Sequence, residues 1–267
     1  VRRQSGAPAS GKSKTKQLRN RRQRTKNVLP LVHRRCEKRK YKQEIISRMK
    51  LGEKQVLTVV KTVDFGIYLG EDRNAPQNER VLLPSKQVPE GTKVGDEIEV
   101  FIYKDSQDRL IATTREPMLQ VGQTAVLKVK QVTRIGAFLD WGLEKDLLLP
   151  YHEQTNRVRE GEECLVALYV DKSSRLCATM KVYHYLSTRT PYVTGDSVKG
   201  RVYEISDRFG VFVAVDDKYS ALIPAREASG KYRPGEVLDL RVSEVKEDGK
   251  MNVTDRQKAY IQINEDA

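Results

Sequence analysis

The sequence predicts an all-β chain of three tandem five-stranded barrels preceded by a disordered basic tail, and three observations predict it. From Leu51 onward apolar and polar residues alternate in short runs, Gly and Pro recur three times at fixed spacing, and the charge changes sign near residue 50. Alternation with period two sends successive side chains to opposite faces of a strand, the pattern of a half-buried sheet. Recurrence at fixed spacing means repeated modules rather than one large sandwich.

The charge places the tail. The chain of 267 residues carries a net charge of +13, yet residues 1–50 alone hold 18 Lys and Arg against Glu37 and Glu44, giving +16. The rest therefore holds 31 bases and 34 acids, or −3. An acid-poor, apolar-poor segment cannot offset the entropy of ordering, but it can bind polyanions by counterion release. Residues 1–48 are accordingly read as a disordered basic tail.

The repeats follow in order. Each unit opens on a Gly (Gly52, Gly122, Gly195), and a second Gly follows after 14, 14 and 15 residues at Gly66, Gly136 and Gly210. A proline after two aliphatics (Pro84, Pro150, Pro224) lies 18, 14 and 14 residues further on, and 11 residues then lead to Gly95, Gly161 and Gly235. The four extra residues of the first unit fall in the polar stretch Glu71 to Glu79, predicted as a longer loop, where insertions cost little. An alternating strand (Glu97 to Tyr103, Glu163 to Val170, Glu236 to Val242) and a short strand ending at Thr113, Thr179 or Thr254 complete each unit. Five short strands in about 65–75 residues suit a closed Greek-key barrel of the OB type. The predicted boundaries are 51–116, 120–183 and 193–258.

The segments Phe65-Gly66-Ile67-Tyr68, Ile135-Gly136-Ala137-Phe138 and Phe209-Gly210-Val211-Phe212 resemble the aromatic-Gly-x-aromatic strand of the RNA-binding domain first described in ribosomal protein S-one. Three such units, a start of the form Leu51-Gly52-Glu53, and Pro84, Pro150 and Pro224 together resemble the conserved virulence factor B family of bacterial RNA-binding regulators. The resemblance implies single-stranded RNA as partner and post-transcriptional control of gene expression, virulence factors included. It departs in two places. The prolines stand where the general domain family carries a nucleic-acid-facing His, so that contact is not carried over. The family also ends in a winged-helix domain, and residues 259–267 read as the start of a linker to one. The family starts near Met49, so residues 1–48 are expected to lie outside the natural product.

On an OB-type barrel, flat side chains on one face stack unpaired bases, each worth about 1–3 kcal/mol. Phe65, Tyr68, Phe138, Phe209 and Phe212 are the candidates, with Trp141 added in the second unit. Rings three apart point to opposite faces unless the Gly bends the strand, so the alternative for one ring of each pair is to fill its barrel, weighed evenly against base stacking for Phe65 and Phe209. The Gly is expected to permit strong coiling and close approach of a ligand backbone. Lys86, His152 and Arg226, two residues after each proline, and Arg115, Lys181 and Arg256, two after each Thr, are the candidate phosphate-binding side chains. The second and third units are the stronger candidates: the third keeps both aromatics with Arg226 and Arg256, and the second adds Lys128, Lys130 and Arg134.

Other signals are set aside. Gly6-x-x-x-x-Gly11-Lys12-Ser13 satisfies a phosphate-loop pattern but lacks the buried strand before it and the apolar-striped helix after it that would aim backbone N–H groups at a phosphate. His33, His152 and His184 do not cluster, so neither catalysis, a metal, a cofactor nor a small-molecule substrate is expected. Cys164 and Cys177 read as small core residues of one barrel. Tyr183, Tyr185 and Tyr192 read as packing between the second and third barrels. With no apolar stretch of membrane-spanning length, a cytoplasmic protein is expected. The alternative to RNA regulation is a protein scaffold on the ribosome or RNA polymerase.

Overall fold

The computed structural model describes residues 49–228 and 230–255. The predicted tail, the phosphate-loop pattern, the linker from 259 and Arg256 lie outside them. Fifteen strands form three closed five-stranded barrels. The first is β1 (Lys54–Val63), β2 (Gly66–Gly70), β3 (Val81–Pro84), β4 (Glu97–Lys104) and β5 (Leu110–Thr113). The second is β6 (Thr124–Val132), β7 (Gly136–Asp140), β8 (Leu147–Pro150), β9 (Glu163–Val170) and β10 (Leu176–Thr179). The third is β11 (Ser197–Ser206), β12 (Gly210–Val215), β13 (Tyr219–Pro224), β14 (Val237–Val245) and β15 (Met251–Thr254).

In each barrel the first three strands form an antiparallel meander, the fourth pairs with the first, and the fifth closes the ring by an antiparallel pairing with the fourth and a parallel one with the third. A register shift bends the first strand at the same place in every unit: Val59/Lys61, Val129/Gln131 and Val202/Glu204. A bulge raises local twist, which a five-stranded ring needs in order to close. The longer loop of the first unit lies at Glu71 to Arg80, where Ala75 turns back to be buried and its carbonyl accepts from Arg80 Nε at 2.8 Å.

The recurring Gly provides the predicted bend, and the structure adds a close approach within the barrel. Gly66, Gly136 and Gly210 have φ of +151°, +152° and +114°, and a Cβ there would collide with the carbonyl oxygens of Leu83, Leu149 and Ile223. The close approach is to the neighbouring strand, since each Gly pairs with the landmark proline, Gly66 with Pro84, Gly136 with Pro150 and Gly210 with Pro224. Past the proline the chain bonds back to the motif, Ser85 N–H to the Phe65 carbonyl at 3.0 Å and Ala225 N–H to the Phe209 carbonyl at 3.1 Å.

The barrels are not beads on a string. Inward residues fill the cores, such as Leu57, Val59, Leu69, Leu83 and Ile102 in the first barrel and Val202, Val213, Ile223, Val242 and Val253 in the third. Phe101 and Tyr103, on the outward side of β4, are buried in one cluster with Leu119, Trp141 and Leu143 of the connection and second barrel. Leu165 and Ala167, outward on β9, are likewise buried with Val182 and Leu186 of the next connection and Tyr203 and Ala214 of the third barrel. Backbone bonds strap these joints: Val121 N–H to Gly52 O at 2.9 Å, and Ser187 N–H to Lys218 O at 2.8 Å.

Candidate nucleic-acid interface

The third barrel carries an open aromatic surface that lines a groove. Phe209 is 53% exposed and Phe212 half-buried, their ring centroids 6.4 Å apart. Both rings lie on one side, because the Gly between them has the positive φ that lets the strand bend. Tyr183, from the connection after the second barrel, stands edge-on to Phe212 at 5.9 Å, and the Arg208 guanidinium covers the Phe209 ring at 5.2 Å. Together with Lys181, Lys246 and Lys250 these rings line a groove of about 710 Å³. Glu204 and Asp248 lie in the same lining, and Lys250 pairs with Asp248 at 3.1 Å, which raises its ammonium above the usual lysine range. The groove thus offers stacking faces with little net charge.

The first barrel repeats the aromatic pair. Phe65 is 58% exposed and meets Tyr68 edge-on at 6.4 Å. Neither Phe65 nor Phe209 fills a barrel, so the barrel-filling alternative weighed for the first ring of each pair falls away and both rings stay open to solvent. Residues 65 and 209 immediately precede the bent Gly, outside the strand alternation that would have turned them inward.

The second barrel is different. Ile135 takes the open position, 60% exposed, and Phe138 is half-buried. Trp141, predicted as a base-stacking ring, is 2% exposed; it packs edge-on against Phe101 at 5.8 Å and its indole N–H donates to the Lys145 carbonyl. A ring sealed between two barrels has no face for a base, so the structure removes Trp141 from the site. The β4–β5 turn of the first barrel leans over this surface, held by Lys145 Nζ donating to Asp105 O at 2.9 Å and by Arg175 pairing with Asp108 at 3.3 Å.

The recurring Thr brings two of the recurring basic residues together in the second barrel. Thr113 Oγ1 donates to Gln87 Oε1 at 2.5 Å and Thr179 Oγ1 to Glu153 Oε2 at 2.7 Å, tying the last strand of a barrel to the turn that follows the proline. This brings Lys181 to His152, whose carbonyl accepts from Lys181 Nζ at 2.6 Å, with Glu153 at 3.6 Å from the same ammonium. Lys86 is exposed and forms no ion pair among the described residues. Arg115 turns to Glu144 of the second barrel at 3.4 Å, and Arg226 lies 3.5 Å from Glu227. Lys181, assigned by its spacing to the second barrel, serves the groove of the third.

Comparison with known proteins accords with this architecture. Residues 51–115 and 121–181 match the family described as S1 domain, and residues 192–262 the S1 RNA binding domain. The chain is 31% identical over 218 residues to the uncharacterized protein YitL of Bacillus subtilis, covering 77% of this chain and 70% of that protein. It belongs to the S1-domain family, as a tandem S1 protein of the conserved virulence factor B type. Conserved virulence factor B of Staphylococcus epidermidis is 25% identical, covering 72% of this chain and 67% of its own. A crystal structure of a multidomain protein with nucleic acid binding domains from Streptococcus pneumoniae shares the fold, with a TM-score of 0.51 at 21% identity over 78% of this chain and 75% of that one. Nucleic-acid binding is the activity to which the S1 domains point.

In this tandem S1 chain the groove gains a ring, Tyr183, from outside the repeated motif. It packs against the third barrel as its place between barrels predicts, edge-on to Phe212, and at 38% exposure it also lines the groove. Its signal was local: Lys181, Tyr183 and His184 form a basic-aromatic run just past the second barrel. Tyr192 does pack, edge-on to Tyr219 at 6.1 Å, with its hydroxyl bonded to Asp216. Cys164 and Cys177 are buried and free on β9 and β10, and burial pushes their thiols up to about 12 and about 11. Among the described residues no cluster of His, Cys, Asp and Glu could hold a metal ion, and no helix is long and apolar enough to cross a membrane.

Proposed function

We propose that this chain binds single-stranded RNA and acts as a post-transcriptional regulator of gene expression, by binding rather than catalysis. The observation that carries the reading is the open aromatic group Phe209, Phe212 and Tyr183 beside Lys181, Lys246 and Lys250. Unpaired bases lie against such rings whatever their sequence, whereas paired bases in a duplex keep their faces hidden. Phe65 and Tyr68 offer a second platform. The relatives named conserved virulence factor B support virulence genes among the targets.

Fluorescence anisotropy of the full chain with labelled single- and double-stranded RNA tests this. The expected result is preference for the single strand, with Phe209→Ala and Phe212→Ala each weakening it by about 1–3 kcal/mol, roughly 5- to 150-fold, while the melting temperature holds. Equal affinity for both RNAs, or none for either, would count against the reading. Retained affinity in the double variant would move the active surface to the scaffold alternative or to the basic tail.

A further inference from the structure

The groove of the third barrel supplies stacking but little charge, so the phosphates of a bound strand need partners elsewhere. A second cleft of about 550 Å³ lies between the second and third barrels, lined among others by Arg157, Arg159, Arg201 and Arg233, with Glu162 and Glu163 as the acids. The two clefts are lined by chain neighbours: Met180 and Tyr203 line one, Lys181 and Glu204 the other.

The arginines are held in two ways. Arg201 is fixed by Asp217 at 2.8 Å and by the Gly235 carbonyl at 3.2 Å, which anchors the loop carrying Arg233. Arg157 lies over the Tyr151 ring at 4.4 Å. Arg159 and Arg233 are exposed and form no ion pair among the described residues. Both occupy one repeat position, two residues before Gly161 and Gly235, and their backbone N–H groups donate to Glu162 at 2.8 Å and Glu236 at 3.0 Å. The turns are thereby fixed and the guanidinium groups left free. A free guanidinium donates two parallel bonds to a phosphate, and two barrels contribute one each to the same cleft.

We propose that the cleft between the second and third barrels binds the phosphate backbone of the single strand whose bases stack in the neighbouring groove, extending the footprint beyond the aromatic platform. This rests on the RNA reading above. The site is a backbone site: its free donors are guanidinium groups and the aromatic in its lining, Tyr203, is buried, so it adds length and salt dependence rather than base preference.

The test uses the full chain, its Arg159→Gln/Arg233→Gln variant and its Phe209→Ala/Phe212→Ala variant, with oligouridylates of about 4 and about 16 nucleotides, the span of OB-fold site sizes. The tail is common to all three proteins and cancels from the comparison. For the long oligomer, the slope of log affinity against log salt should be shallower by about 1.4 in the arginine variant, about 0.7 for each lost phosphate contact, while the short oligomer is unaffected. The aromatic variant should weaken both. An unchanged slope for the long oligomer, with the aromatic variant still impaired, would overturn the cleft and leave the groove standing. Loss in the arginine variant alone would keep the cleft and overturn the groove. An equal change for both oligomers would overturn the extended footprint, and no binding of either by the unaltered chain would overturn both proposals.

Discussion

The outward side of the fourth strand differs among the three barrels, although the inward side is the same in all. On β4 the outward row reads Glu97, Glu99, Phe101, Tyr103; on β9 it reads Glu163, Leu165, Ala167, Tyr169; on β14 it reads Val237, Asp239, Arg241, Ser243. Phe101, Tyr103, Leu165 and Ala167 are buried under the following barrel or connection, whereas the whole β14 row is exposed. The inward rows Val100 and Ile102, Val166 and Leu168, and Leu240 and Val242 are all buried. Among the described residues one fold thus serves as a covered wall twice and as an exposed face once, in step with the composition of the outward row.

The comparison can be broken most sharply by truncation at one shared position, since Phe101 and Arg241 both stand fifth in their strands. Phe101→Ala should cost about 3–5 kcal/mol in chemical denaturation, because a fully buried ring leaves a cavity between two barrels. Arg241→Ala should cost no more than about 1 kcal/mol, the worth of one exposed bond from its Nε to the Gly195 carbonyl at 2.8 Å. Equal losses would mean that the joint adds nothing to the stability of the barrels it links.

A smaller effect is expected at Gly210. Gly210→Ala sets a Cβ against the Ile223 carbonyl at a backbone angle that L-residues avoid, so a loss above about 1 kcal/mol should follow. Gly66→Ala should match it, because this contact belongs to the barrel itself and not to its neighbours. A marked inequality between the two would show that the joints reshape the motif strand.

The least perturbing probe is chemical. Cys164 faces inward on β9 with its thiol pushed up to about 12, so almost no thiolate exists at pH 8 and iodoacetamide should label it only after unfolding. Leu165→Ala, which loosens the covered side of the same strand, should speed that labelling. Unchanged labelling would show that the covered side does not guard the core.

Much of the fold was legible because the signals were local. Gly and Pro at repeated spacing mark turns and strand ends, and closing strands ending at Thr113, Thr179 and Thr254 agree with the predicted termini. The joints were legible too, in a form the period-two reading passes over. Val100-Phe101-Ile102-Tyr103 and Cys164-Leu165-Val166-Ala167-Leu168 are continuous apolar runs, the pattern of a strand buried on both faces, while Val237-Leu238-Asp239-Leu240-Arg241-Val242 returns to alternation after its first pair. Had those runs been taken as covered walls, a large ring such as Trp141 would have been sought in the joint. The placement of Tyr183 and Lys181 was less accessible, because a groove assembled from two repeats has no spacing within either one.

The covered walls also bear on what a ligand can do. Phe65, Phe209 and Phe212 ride on barrels joined through buried side chains, and turning a platform toward an incoming strand would break those contacts. The nucleic acid must supply the adaptation and bear the loss of its own flexibility. Floppy pyrimidine stretches should therefore be accommodated more readily than self-stacked purine tracts or hairpins, a choice made by stiffness with no base edge being read.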